Sequence, residues 1–80
     1  MTPDVPKSIG EAIKAERRRQ RRTQEDVAWA AGIGQSNLSA YERGAVLPTL
    51  GSIKKLARAL NVNMSHLLAV DRAGSDLEHG

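Results

Sequence analysis

The chain has 80 residues, 40% of them hydrophobic and 26% charged, with a formal net charge of +3 and no cysteine. That length holds one small domain with a modest core, and without cysteine neither a disulfide framework nor a thiolate metal site is open to it. Phe is absent, and Trp29 and Tyr41 are the only aromatics, so Ile, Leu, Val and Ala must build the core, which suits helices better than a β-sandwich.

Residues 1–8 read as a Pro-bounded N-terminal arm; "MTPDVPKSIG" has no hydrophobic stretch of the kind a signal peptide needs. Ser8 with Glu11 forms a capping box and starts a helix over about 9–21. Ile9, Ile13, Arg17 and Gln20 share one of its faces. Thr23 caps a second helix, with Glu25 and Asp26 in the first turn where the helix dipole favours acids. Val27, Ala28 and Ala31 are its apolar side, and Gly32 stops it. Residues 35–43 predict a third helix with Leu38 and Tyr41 on one side and Gly44 as its stop. After the connector "AVLPT", Thr49 caps a fourth, whose Leu50, Ile53, Leu56, Ala57 and Leu60 make a strong amphipathic pattern. Val62 turns inward, and Ser65 caps a short last helix with Leu67 and Leu68 packing back. The domain is expected over 9–69. Residues 70–80 form an acidic tail, expected to be flexible: the chain carries +5 up to Val70 and −2 after it. A basic body points to a polyanionic partner.

Residues 24–43 carry the functional signal. Val27, Ala31, Ile33, Leu38 and Tyr41 fall on inward positions, Ala28 is small where two helices must cross, and Gly32 sits where the turn calls for a positive φ. That is the pattern of a helix-turn-helix. The stretches "TQEDVAWAAGIGQSNLSAYERG" and "PTLGSIKKLARALNV" resemble the Cro/phage-repressor-type (XRE) helix-turn-helix domains, over roughly Ile9 to Leu68. The resemblance implies an all-α, compact five-helix, lambda-repressor-like fold. It also implies that the helix beginning near Gln35 enters the major groove of double-stranded DNA. By position, Gln35, Ser36, Ser39 and Ala40 are then the base-reading candidates. A Gln amide can match adenine in bidentate fashion, and Ala40 offers only a methyl contact. Asn37 and Arg43 are better placed for phosphates. Gln24 opens the preceding helix, at a positive dipole end suited to a phosphate.

Five of the six residues from Arg17 to Arg22 are arginine, and they divide by position. Arg17 lies on the core-facing side and needs a partner; the resemblance implies an ion pair with Glu42 of "ERG", with a phosphate as a further contact. Arg18 and Arg19 read as solvated. Arg21 and Arg22, just before Gln24, read as phosphate contacts, although family members often carry Gly and an apolar residue there. Trp29 lies off the Val27/Ala31 face and reads as a rim contact over arginine stems, with a contact to DNA backbone or a partner as the sharper alternative. "AVL", residues 45–47, reads as a dimer seam or core edge. His66 and His79 stand isolated, so no metal site is expected. No nucleophile–base set, phosphate loop or carboxylate pair supports catalysis, and no cofactor is implied.

Together these readings predict a small cytoplasmic transcriptional regulator of bacterial or phage origin, associated with the nucleoid. It would bind an inverted-repeat operator as a homodimer with half-sites roughly 10 base pairs apart. No second domain for ligand sensing is expected, and no apolar run approaches the ~20 residues of a membrane span. The alternatives are an antitoxin that autoregulates a toxin pair, or a protein-interaction module that keeps the fold, with a protein partner of unknown identity.

Overall fold

The computed structural model describes residues 4–68. It is all-helical over that range, in the order α1 (Val5–Arg19), α2 (Gln24–Ala31), α3 (Gln35–Glu42), α4 (Leu50–Leu60) and α5 (Met64–Leu68). α1 packs on α3 and α5, α2 on α3 and α4, and α5 closes against α4. Among the described residues no helix is long and apolar enough to cross a membrane.

α1 starts earlier than the sequence pattern predicts. Its N-cap is Asp4, whose side chain accepts the Lys7 N–H, and residues expected in the arm form its first turn. Ser8 is inside the helix, its N–H already bonded to Asp4 O at 2.9 Å, so the Ser8–Glu11 capping box does not form the start. Pro6 does not block this turn, because the first-turn N–H groups have no helical acceptor in any case. The remaining arm residues, 1–3, lie outside the described residues, as does the tail. At its other end α1 stops at Arg19, and Arg21 takes φ 57°.

Four boundaries follow the local chemistry. Thr23 Oγ1 accepts the Asp26 N–H at 3.0 Å and Thr49 Oγ1 the Ser52 N–H at 3.1 Å. Gly32 (φ 72°) and Gly44 (φ 74°) end α2 and α3 in the left-handed region, which glycine reaches without a Cβ penalty. α5 differs from expectation: Ser65 lies within it, and Asn63 O accepts the His66 N–H just ahead of the helix.

Ile13, Val27, Leu38, Leu56, Leu60 and Leu67 are fully buried at the centre, each worth about 1.5–3 kcal/mol relative to exposure. Val62 and Leu68 pack against this cluster from its edge. Leu50 does not: it is 67% exposed, because as the first residue of α4 it stands at the edge of the apolar stripe. Gly10 sets the α1–α3 distance. A Cβ there would stand 2.1 Å from Tyr41 O and 2.9 Å from Glu42 O, so the close crossing that fixes α3 tolerates only glycine.

Candidate nucleic-acid interface

α3 uses one side for packing and leaves the other free. Leu38 and Glu42 are buried and Tyr41 is half-buried, its hydroxyl 3.4 Å from Ser52 Oγ. At ~100° per residue, Ser36, Ser39, Ala40 and Arg43 fall opposite these, with Gln35 at the N-terminal edge. Gln35, Ser36, Asn37 and Arg43 are exposed, and Ser39 and Ala40 half-buried. Asn37 sits on the flank beside Tyr41. The N-cap of α3 is Gly34, which offers no side-chain acceptor, so the N–H groups of the first turn stay available at the positive end of the helix. The result is a strip of amide, hydroxyl and methyl groups. Arg43 lies over its C-terminal end, with Nη1 donating to Ser39 Oγ at 2.5 Å.

A buried polar knot holds this helix in place. Glu42 accepts from Arg17 Nε at 2.7 Å, Arg17 Nη2 at 2.9 Å and Gln24 Nε2 at 3.0 Å. Arg17 Nη1 donates to Arg22 O at 2.8 Å. The knot joins α1, the start of α2 and the end of α3. Burial pushes the Glu42 carboxyl up, but the hydrogen bonds from Arg17 and Gln24 outweigh it and hold the group below its ordinary range; the same bond raises Arg17. Gln24 therefore uses one amide proton inside the protein and keeps the other, together with its carbonyl oxygen.

The other arginines separate. Arg22 is not free to reach outward. Its Nε donates to Asp26 Oδ2 at 2.9 Å and its Nη1 to Ala59 O at 2.7 Å and Gln20 Oε1 at 3.3 Å. Gln20 Nε2 donates to Leu60 O at 2.7 Å. Two side chains from the α1–α2 junction thus satisfy carbonyls left open at the end of α4, so Arg22 Nε and Nη1 are engaged within the protein. Arg19 is not simply solvated, since its guanidinium donates to Glu16. Arg18 and Arg21 are exposed.

Glu16 is the polar core residue that the pattern reading missed. It is 4% exposed and also accepts from Gln20 Nε2 at 2.9 Å. His66 Nε2 lies 3.0 Å from its Oε1, so His66 is not isolated. The Arg19 hydrogen bond holds the Glu16 carboxyl below its ordinary range against the opposing effect of burial, with help from Gln20 and His66. A signal existed: Ile9, Ala12, Ile13, Glu16 and Gln20 recur at helical spacing, and Glu16 lies nearer the centre of that stripe than Arg17. Trp29 is 84% exposed and lines an open hollow with Thr23, Glu25 and Asp26. Val46 and Leu47 are half-exposed, so the "AVL" loop is surface, while Pro48 is buried. Among the described residues no group of His, Asp or Glu could hold a metal ion.

This arrangement has counterparts. The helix-turn-helix family model matches residues 13–67. The chain is 34% identical over 71 residues to the HTH-type transcriptional regulator ImmR of Bacillus subtilis, covering 89% of this chain and 56% of that protein. It is 37% identical over 65 residues to the uncharacterized HTH-type transcriptional regulator y4dJ of Sinorhizobium fredii, covering 81% and 84%. The chain thus spans little more than half the length of ImmR. Among solved structures, it resembles the restriction-modification controller protein C.AhdI of Aeromonas hydrophila with a TM-score of 0.76 and 29% identity, covering 78% of this chain and 94% of that one.

Proposed function

We propose that this chain, which belongs to the XRE-type helix-turn-helix family of transcriptional regulators, regulates transcription by binding an inverted-repeat operator as a homodimer. α3 lies in the major groove. Gln35, Ser36, Ser39 and Ala40 meet base edges, while Gln24, Asn37, Arg21 and Arg43 meet phosphates on either side. Arg17 acts from inside, through Glu42 and Gln24, to hold the phosphate-facing amide in position. The observation that carries this reading is the division of α3: Leu38 and Glu42 are buried, and the opposite face presents amide and hydroxyl groups beside an uncapped helix N-terminus. One α3 spans only a few base pairs, so a second copy is needed for a site unique in a genome. The likeness to a controller protein supports a small stand-alone regulator of its own or a neighbouring gene.

The test is to select bound fragments from the source genome and titrate the best one at several salt concentrations. With Arg21 and Arg43 as the cationic phosphate contacts in each of two copies, the slope of log affinity against log salt is roughly −4. Gln35→Ala weakens the selected site and relaxes its sequence preference by about 1–3 kcal/mol. If no fragment is enriched and Gln35→Ala changes nothing while the helical circular dichroism persists, the fold serves as an interaction module instead.

A further inference from the structure

Ser39 and Arg43 stand four residues apart on the outward side of α3, and they are bonded to each other: Arg43 Nη1 donates to Ser39 Oγ at 2.5 Å. Residues at that spacing are neighbours on a helix surface. Ser39 is half-buried and Arg43 exposed. Arg43 is also the C-cap of α3, at the helix end where the dipole favours a cation. Among the described residues no carboxylate pairs with it. Its guanidinium therefore turns back along the strip to the serine hydroxyl.

That bond narrows what Ser39 can offer a base. A serine hydroxyl has one proton to donate and lone pairs with which to accept. Here the oxygen already takes a proton from a cation, and any second donor on it would sit beside the guanidinium charge. The hydroxyl proton points away from Arg43 and stays free to donate. The remaining N–H groups of Arg43 are donors too, since a guanidinium has no acceptor. The C-terminal half of the strip is thus a donor-only, positively charged unit. Gln35 at the other edge differs, because its amide carries a donor and an acceptor together.

We infer that Ser39, with Arg43 behind it, reads a guanine. The inference rests on the DNA-binding reading and names the base met by one of its residues. In the major groove guanine presents two acceptors, N7 and O6. Adenine sets an N6 amino donor beside its N7, cytosine offers only the N4 amino donor, and thymine places a methyl beside O4. A donor-only unit suits both guanine atoms, opposes the amino groups of adenine and cytosine, and sets a charged group against the thymine methyl. Ala40, the next residue of the strip, has no polar group to counter this choice. Arg43 acts here as a positioning residue: Nη1 orients the hydroxyl, and its other donors extend to the phosphate. Ser39 makes a single bond, so the preference is about 5–10-fold, at the low end for a base contact.

The experiment is selection by the full chain from duplexes randomised across the half-site, repeated with Ser39→Ala, Arg43→Met, Arg43→Lys and Gln35→Ala, each checked for unchanged helical circular dichroism. Wild type is expected to select guanine at one position by about 5–10-fold over any other base. Ser39→Ala flattens that position and leaves the others as they were, including the one that Gln35→Ala changes. Arg43→Met weakens all binding and lowers the salt slope by about one unit per copy. It also opens the Ser39 position to cytosine, because the freed hydroxyl oxygen can accept the N4 proton. Arg43→Lys, which keeps a cationic donor, retains the guanine. A distorted helix would blur every position together. A selected site in which Ser39→Ala alters no single position, or alters one that prefers another base, overturns the inference and leaves the DNA-binding reading standing. So does an Arg43→Met variant that weakens all sequences equally with the guanine preference intact, because Arg43 is then a phosphate contact alone. If wild type selects no duplex at all, the DNA-binding reading fails and the inference falls with it.

Discussion

Removing the Glu42 carboxylate should be among the costliest single changes in this protein. Glu42→Ala deletes the acceptor of three hydrogen bonds, two from Arg17 and one from Gln24. The side chains of Arg17 and Glu42 are only 11% and 2% exposed. Arg17 would keep one partner, the Arg22 carbonyl, with its charge otherwise uncompensated. Deleting one member of a buried pair typically costs 3–5 kcal/mol, most of it from the charge left behind. Residual exposure lets water reach Arg17, so the lower end, about 3 kcal/mol, applies. For a domain of this size that lowers Tm by roughly 12–24 °C. Thermal and urea unfolding followed by circular dichroism measure it. Arg17→Met completes the cycle: if the loss comes from a stranded charge, the double variant recovers at least ~1 kcal/mol relative to additivity. A loss under about 0.5 kcal/mol for Glu42→Ala, or strict additivity in the cycle, would refute the reasoning. Acid supplies a further check. Glu42 is held below its ordinary pKa, so its contribution is present above the unfolded carboxylate value and lost as pH falls through the lower folded one. The gap between wild type and Glu42→Ala therefore closes below about pH 4.

Gly10→Ala places a Cβ 2.1 Å from Tyr41 O, so α1 must retreat from α3; an unfolding assay should show a loss of about 3 kcal/mol, at the top of the overpacking range. Arg22→Ala removes the donor to Ala59 O and the partner of Asp26 and should cost about 1–2 kcal/mol of stability, with DNA affinity changed less than twofold; a large affinity loss at constant stability would instead make Arg22 a phosphate contact. Arg21→Gly relieves a non-glycine φ of 57° and should stabilise by about 1 kcal/mol. The same change should weaken DNA binding and lower the salt slope by about one unit per copy; unaltered DNA binding would remove Arg21 from the interface.

Features written in neighbouring residues were legible. Thr23, Thr49, Gly32 and Gly44 mark helix ends through bonds or backbone angles set within a turn. The 3.6-residue recurrence of Ile53, Leu56 and Leu60 needs no partner to be recognised. Asp4 was hidden because Pro6 looked like a break, whereas a proline in the first turn continues the helix. What stayed illegible depends on distant chain. Glu16 meets His66, 50 residues away, and Arg22 meets a backbone carbonyl, which leaves no trace in residue type. The candidate base-reading strip was legible for another reason: it is what remains of α3 once Leu38 and Glu42 are placed inside.

The arginine run shows why charge counts overstate a nucleic-acid surface. Of five guanidinium groups between residues 17 and 22, Arg17 neutralises Glu42, Arg19 is bound to Glu16, and Arg22 closes the end of α4. Among the described residues, Arg18 and Arg21 are exposed and make no ion pair. Three arginines thus tie α1 and its following turn to α3, to a core carboxylate and to α4, and so hold α3 against the rest of the domain. Rigidity of that kind matters for reading bases, because a side chain placed an ångström out of register loses the bidentate geometry on which discrimination depends. Under the proposed DNA-binding reading the run would serve binding chiefly by fixing α3, and would contribute charge to the interface mainly through the residue whose backbone is least comfortable, Arg21.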